Sequence, residues 1–242
     1  MLKISAFRAI EDETTCLRYM AGHAQVLLDY GVTNITTNTD TWKDSPSVYG
    51  IIVENEAGDL VGGVRLHITD GIEPLPVEKA VGAVDPKVRE YIGEYPLGTT
   101  GELCGLWNAR PVAGMGVSML LVRAVVAIAS QVPLRSMFTF CSEYTTHMTG
   151  PMGFYPENTL GEEGRFYYPS RNYVSRVFRN PDVVGLSLAA ESDRRRVESL
   201  RAHPNQVVVE VGSKNTVEVS YGLQLPVVEV EKTRQSSVIG RQ

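Results

Sequence analysis

Gly101-Glu102-Leu103-Cys104-Gly105-Leu106-Trp107, the turn from Asn108 to Gly114, and Gly114-Met115-Gly116 opening the apolar run Val117 to Ala129 form the stretch that decides the fold. The first segment reads as a short buried strand and the last as a long helix. A strand that turns through glycines into a helix start makes an anion site. The first-turn N–H groups have no intrahelical partner, and the helix dipole places partial positive charge there. Glycines let the backbone approach a phosphate with no Cβ in the way.

Upstream, Leu2 to Phe7 reads as a first strand, and Glu11 to Tyr30 as a helix with Leu17, Met20, Ala24 and Leu28 on one stripe and Gly31 as its stop. Val32 to Pro46 lacks periodicity and is rich in Thr, Asn and Asp, a loop long enough for binding. It carries Trp42, either a packing anchor or a substrate contact. Val48 to Glu54 and Leu60 to Ile68 form a hairpin turning at Asn55-Glu56-Ala57-Gly58. Gly62-Gly63 marks a bulge or a close backbone approach, and Arg65 and His67 share a face.

Thr69 to Thr100 reads as an insertion: a turn, then a helix from about Val77 into Tyr91-Ile92. Beyond the long helix come a strand at Leu134 to Cys141, a short helix at Glu143 to Met152, and the exit Gly153-Phe154-Tyr155-Pro156. Strands at Arg165 to Tyr168 and Asn172 to Phe178 follow, then a helix at Glu191 to Ala202. A hairpin pairs Gln206 to Val211 with Thr216 to Tyr221, turning at Gly212 to Asn215. A mobile tail is expected after about Leu225.

With 242 residues, 43% of them hydrophobic, the chain suits one large domain or a domain with an appendage. Alternating helices and strands favour a mixed α/β or α+β architecture. A net charge of −5 argues against a nucleic-acid partner. The one dense basic run, Arg194-Arg195-Arg196, shares its helix with Glu191, Asp193 and Glu198 and reads as a solvated face. The cysteines, Cys16, Cys104 and Cys141, are odd in number and lack metal spacing, so a reduced, cytoplasmic setting without metal is expected. Met1 leads straight into a strand, with no signal peptide expected, and no apolar run is long enough for a membrane span.

The order of these elements resembles the GNAT N-acyltransferase superfamily over about Val48 to Tyr168. The pieces that carry it are Leu60-Val61-Gly62-Gly63-Val64-Arg65-Leu66, the Glu102 strand with Gly114-Met115-Gly116, and Met152-Gly153-Phe154-Tyr155. The resemblance implies a central mixed sheet with flanking helices over residues 1–170 and a C-terminal extension over 171–242. It also implies acetyl-CoA or another acyl-CoA as co-substrate. Val112, Ala113, Gly114, Met115 and Gly116 would line the pyrophosphate, and Leu106, Trp107 and Asn108 would offer backbone groups to the pantetheine arm in the gap beside a splayed strand. Pro111 stands where the family usually has Gln or Arg, with Arg110 one place early. Thr149 stands where a catalytic tyrosine is frequent.

The activity implied is transfer of an acyl group, acetyl by default, to the primary amine of a small molecule. A homodimer stays open. Leu75-Pro76-Val77-Glu78 and Glu102 are also loosely similar to the N-acyl-amino-acid and acyl-homoserine-lactone synthases, which take acyl groups from a carrier protein; the Arg usual after that Glu is replaced by Cys104-Gly105-Leu106. A non-catalytic acyl-CoA-binding module is the third reading. Glu102 is the candidate general base, with a pKa raised by apolar neighbours, against the alternative of a plain ion pair with Arg65 or Arg110. Alternation would put Glu102, Cys104 and Leu106 on one face. Ser142 and Tyr144, past the next strand end, are candidates to hydrogen-bond the leaving thiolate or the substrate. Cys141 is a candidate nucleophile.

Overall fold

The computed structural model describes residues 1–31, 40–211 and 216–226. In chain order these are β1 (Leu2–Arg8), α1 (Glu13–Asp29), β2 (Val48–Glu54), β3 (Leu60–Ile68), α2 (Pro76–Val81), α3 (Lys87–Gly93), β4 (Thr100–Asn108), α4 (Val117–Ile128), β5 (Ser136–Ser142), α5 (Thr146–Thr149), β6 (Tyr155–Pro156), β7 (Phe166–Tyr167), β8 (Val174–Asn180), α6 (Glu191–Ala202), β9 (Asn205–Val211) and β10 (Thr216–Gly222). The strands form one mixed sheet in the order β6-β8-β5-β4-β3-β2-β1-β10-β9, with β7 also on β8. The pairs β1–β10 and β4–β5 are parallel and the rest antiparallel. Of the strands after residue 170, β10 and β9 extend the sheet beyond β1, while β8 sits between β5 and the short earlier strand β6.

The β2–β3 hairpin has the bounds expected from its alternation, and Gly58 supplies the positive φ of its turn. One face of the sheet carries α4, whose first-to-last residues are almost all buried between the sheet and α6. A helix apolar all round is stable only when covered on all sides. Its lone charge, Arg123, is neutralised by Asp193 of α6 and Glu210 of β9. The opposite face carries α1 over β3 and β4, beside α2 and α3 over β5 and β8.

Three local expectations are corrected. On α1 the buried stripe is Cys16, Tyr19 and His23, while Leu17 and Leu28 are exposed. The stripe is shifted because the Tyr19 ring needs the room over Gly63, where a Cβ would come within 2.7 Å of it. The insertion holds two short helices rather than one, since the chain leaves α2 at Gly82 and re-enters helix after Pro86, which starts α3. Leu106 also leaves the face of Glu102 and Cys104. Gly105 takes φ +59 and the β3–β4 register slips between Gly63↔Trp107 and Arg65↔Cys104. That bulge turns Leu106 toward the α4-side core, beside Leu103. The Gly212 to Asn215 turn, the tail after 226 and residues 32–39 of the Thr/Asn loop lie outside the described residues.

Candidate active site

The site grows from the way β4 and β5 part. Their parallel pairing runs from Thr100↔Ser136 to Leu103↔Thr139 and stops there, though both strands continue. The gap opens into a cavity of about 430 Å³. Its walls are Glu102 to Asn108 of β4, Thr139 to Ser142 of β5, His23 and Tyr30 from the α1 end, Ala80 of α2, and Thr149 beyond β5. A second cavity of about 370 Å³ adjoins it and shares Asn108, Ser118 and Met148. Val112, Gly114, Met115 and Gly116 line that second space.

Gly114 and Gly116 both take positive φ, +82 and +80, so the turn cannot be built as readily from residues with a Cβ. Gly116 caps α4, and its carbonyl receives Met119 N–H and Leu120 N–H. The N–H groups of Gly116, Val117 and Ser118 bond no carbonyl among the described residues and face the start of a twelve-residue helix. Donors of this kind fit a pyrophosphate. Ser118, which sequence reading passed over, donates from Oγ to Asn108 Oδ1 at 2.6 Å and joins the strand end to the helix start where the two cavities meet. A serine inside an apolar helix run was the available signal.

Arg110 is not part of the turn's anion-binding surface. It donates to Asp29 O at 2.8 Å and lies over the Tyr30 ring, capping α1 instead. Ala113 is exposed and lines neither cavity; Leu106 and Trp107 line the first. The Trp107 ring packs edge-on to Tyr19, so its contribution to the cavity is backbone and ring edge.

Glu102 is 1% exposed. Its Oε2 accepts the Val77 N–H at 2.8 Å, which ties β4 to the start of α2. Among the described residues neither Arg65 nor Arg110 pairs with it: Arg65 Nε finds no acceptor and Arg110 bonds Asp29 O, so the plain ion-pair reading fails. Burial pushes its pKa up to about 8, against the pull of the Val77 N–H and of Arg65's charge, with Glu78 adding a further upward push. A carboxyl poised there can give or take a proton near neutral pH. His67, directly opposite in register, is held well below its ordinary pKa by burial and by Arg65, and stays neutral. His23 is likewise lowered to about 4 by burial.

Ser142 lines the cavity at the open end of β5, and its Oγ accepts from Tyr144 N–H at 3.4 Å. Tyr144 is 84% exposed and lines neither cavity, because the short helical turn after β5 carries its ring outward. The structure does not bring it to Glu102. Thr149 is buried on the cavity wall and bonds the carbonyl of Thr146. Cys141 lies on the same wall, with a thiol pKa raised by burial; Cys104 is pushed up to about 12 by the same cause. Such thiols are poor nucleophiles. Trp42 is a packing anchor, buried with Tyr19 and Val48, and also lines a small cavity with Arg65 and His67. No group of His, Cys, Asp and Glu able to hold a metal occurs among the described residues, and none of their helices is long and apolar enough to cross a membrane.

No family model and no curated protein matches the sequence. Solved structures do match in fold. FeeM, an N-acyl amino acid synthase from uncultured soil microbes, superposes with a TM-score of 0.58 at 15% identity, over 81% of this chain and 98% of FeeM. BjaI, a CoA-dependent acyl-homoserine lactone synthase solved with SAM and isopentyl-CoA, gives 0.55 at 12% identity, over 82% and 90%. An acyl-CoA N-acyltransferase from Pseudomonas aeruginosa gives 0.51 at 14% identity, over 74% and 99%. The fold is that of the GNAT N-acyltransferases.

Proposed function

We propose that the chain transfers an acyl group from an acyl-CoA to the primary amine of a small molecule. The observation that carries this reading is that the two cavities adjoin, sharing Asn108, Ser118 and Met148 in their walls. One runs past the free N–H groups of the Gly114–Gly116 turn, and the other threads the β4–β5 gap to Glu102. A long ligand with an anionic middle and a reactive end fits that path.

In the proposed reaction the acceptor nitrogen forms a bond to the thioester carbonyl carbon, and the carbon–sulfur pair leaves with sulfur. Glu102 takes the proton lost by nitrogen, directly or through water. Glu102 passes that proton through water to the departing sulfur, so its carboxylate is restored and an amide and free thiol are the products. Beyond Leu103 the edge of β4 toward β5 is no longer paired with that strand, and its backbone orients the donor's arm in this reading. Ser142 is placed to hydrogen-bond the departing sulfur. Incubation with a series of acyl-CoAs and a panel of amines, read by thiol release and product mass, tests the whole. Amide and thiol in equal amounts are expected. Donor binding without transfer to any amine would reduce the chain to a binding module.

The turn has its own test. Gly114→Glu places a carboxylate beside the proposed pyrophosphate and forces a side chain into φ +82. Acyl-CoA affinity by calorimetry is expected to fall roughly tenfold or more, through like-charge repulsion at a helix start. Gly114→Ala separates backbone strain from charge. Unchanged affinity in a folded Gly114→Glu protein would remove the donor from this turn.

A further inference from the structure

Arg65 stands at the centre of β3 and is 3% exposed. Arg123, buried to a similar degree, sits between two carboxylates. Arg65 has none within ion-pair distance among the described residues, and its Nε finds no acceptor. Its guanidinium is held by aromatic faces instead, 4.6 Å from the Trp42 ring and 5.6 Å from the Tyr19 ring. Gly105 makes the room: a Cβ there would lie 3.0 Å from Nε and 3.1 Å from Nη2. Cation–π contacts and a hydrogen bond with Tyr19 offset part of the desolvation of a buried cation, but they leave Nε without an acceptor.

Arg65 lines the large cavity holding Glu102, and also the small one beyond it. The register pairs Arg65 with Cys104 and His67 with Glu102, so Arg65 and Glu102 are neighbours on one face of the sheet. Glu102 feels the charge of Arg65 without pairing to it, and its burial keeps it largely protonated at neutral pH. A guanidinium with no carboxylate partner among the described residues therefore lines the space in which an acceptor amine would meet the proposed base. A guanidinium of this kind is matched by a planar carboxylate accepting two parallel hydrogen bonds.

We propose that Arg65 binds the carboxylate of the acceptor, which is therefore an amino-acid-type molecule with its amine and acid on the same or neighbouring carbons. This rests on the acyltransfer reading above. With the carboxylate on Arg65 the amine lies toward Glu102, and the acceptor's side chain extends toward the mouth lined by His23 and Tyr30. Arg65 is thus a specificity residue that positions the nucleophile.

The test compares amino acids with their carboxamides and their decarboxylated amines, all with one acyl-CoA. The parent protein is expected to favour the acid over the matching amide by roughly 10²-fold in kcat/KM, the scale at which an unmet buried polar partner discriminates. In Arg65→Gln that ratio should collapse toward one through the acceptor KM, with the donor KM unchanged. Arg65→Lys, which keeps charge but not the fork, should fall between and covers the event that the glutamine variant does not fold. A parent ratio near one, or a ratio that survives in a folded Arg65→Gln protein, overturns the proposal. If no amine is acylated at all, the acyltransfer reading fails separately. Saturation-transfer NMR with the same acids and amides then judges Arg65 alone: acids that bind where amides do not uphold it, and equal or absent binding overturns it.

Discussion

Glu102→Gln is expected to lower turnover by about 10²–10⁴, the range for loss of a general base, while leaving acyl-CoA affinity nearly unchanged. Glutamine keeps the shape and can still accept the Val77 N–H, so the tie between β4 and α2 survives. What disappears is the proton acceptor. With the carboxyl titrating at about 8, only a minority is ionised at pH 7, and parental kcat should rise with pH and level off above that value. The variant should lack this limb. Stability supplies an independent check with a definite sign. An unfolded glutamate ionises near pH 4.3, and the folded one resists until about 8. The parent is therefore at its most stable relative to Glu102→Gln below the unfolded value and loses ground as pH climbs through this window. At 1.36 kcal/mol per unit, the full loss is of order 5 kcal/mol as an upper figure. Urea midpoints of the two proteins should diverge from pH 5 to 8, with the variant the more stable. Activity within a few-fold of the parent at every pH would dismiss Glu102 as the base.

Much of the fold was legible because it is written locally. Alternation around the Asn55-Glu56-Ala57-Gly58 turn set the β2–β3 hairpin, and glycines before a mostly apolar run set the start of α4. The gap beside β4 was expected from the resemblance to the acyltransferases, not from the residues of the stretch themselves. What stayed hidden depends on residues distant in sequence. Nothing near Gly105 says that a bulge there will send Leu106 to the far face, since the reason is the packing of Tyr19 and Arg65 against a position without a Cβ. The α1 stripe was misplaced because Tyr19 and His23, polar-tipped residues, win the inward face over two leucines. Arg65 looked like a natural partner for Glu102; only three-dimensional packing shows that two aromatic rings hold it away from any carboxylate. Tyr144 looked close to the site because it follows β5 at once, and the turn at Glu143 to Thr145 carries it out to solvent.

Loss of Arg123 is expected to destabilise the fold. Arg123 lies on the buried helix α4, where Nη2 is 2.7 Å from Asp193 Oδ1 of α6 and Nη1 is 3.4 Å from Glu210 Oε2 of β9. Tyr221 of β10 donates to the other Glu210 oxygen at 3.0 Å. One guanidinium thus ties three later elements to the helix that starts at the glycine turn. Arg123→Met fits the apolar surroundings but strands Asp193 and leaves Glu210 only Arg196, at 3.9 Å, and the Tyr221 hydroxyl, and breaking a buried pair in this way costs about 3–5 kcal/mol. That is a large share of the roughly 5–15 kcal/mol that holds a domain folded. Urea unfolding should show a midpoint shift of that size with little change in slope. Replacing Asp193 with Leu and Glu210 with Gln in the same chain should restore most of the loss, because no buried charge then lacks a partner. Arg123 and Glu210 also border the cavity beside the turn, so acyl-CoA affinity should fall in Arg123→Met and return in the triple variant. A loss below 1 kcal/mol would mean that water already reaches these carboxylates and that α6 and β9 are held to α4 by apolar packing alone.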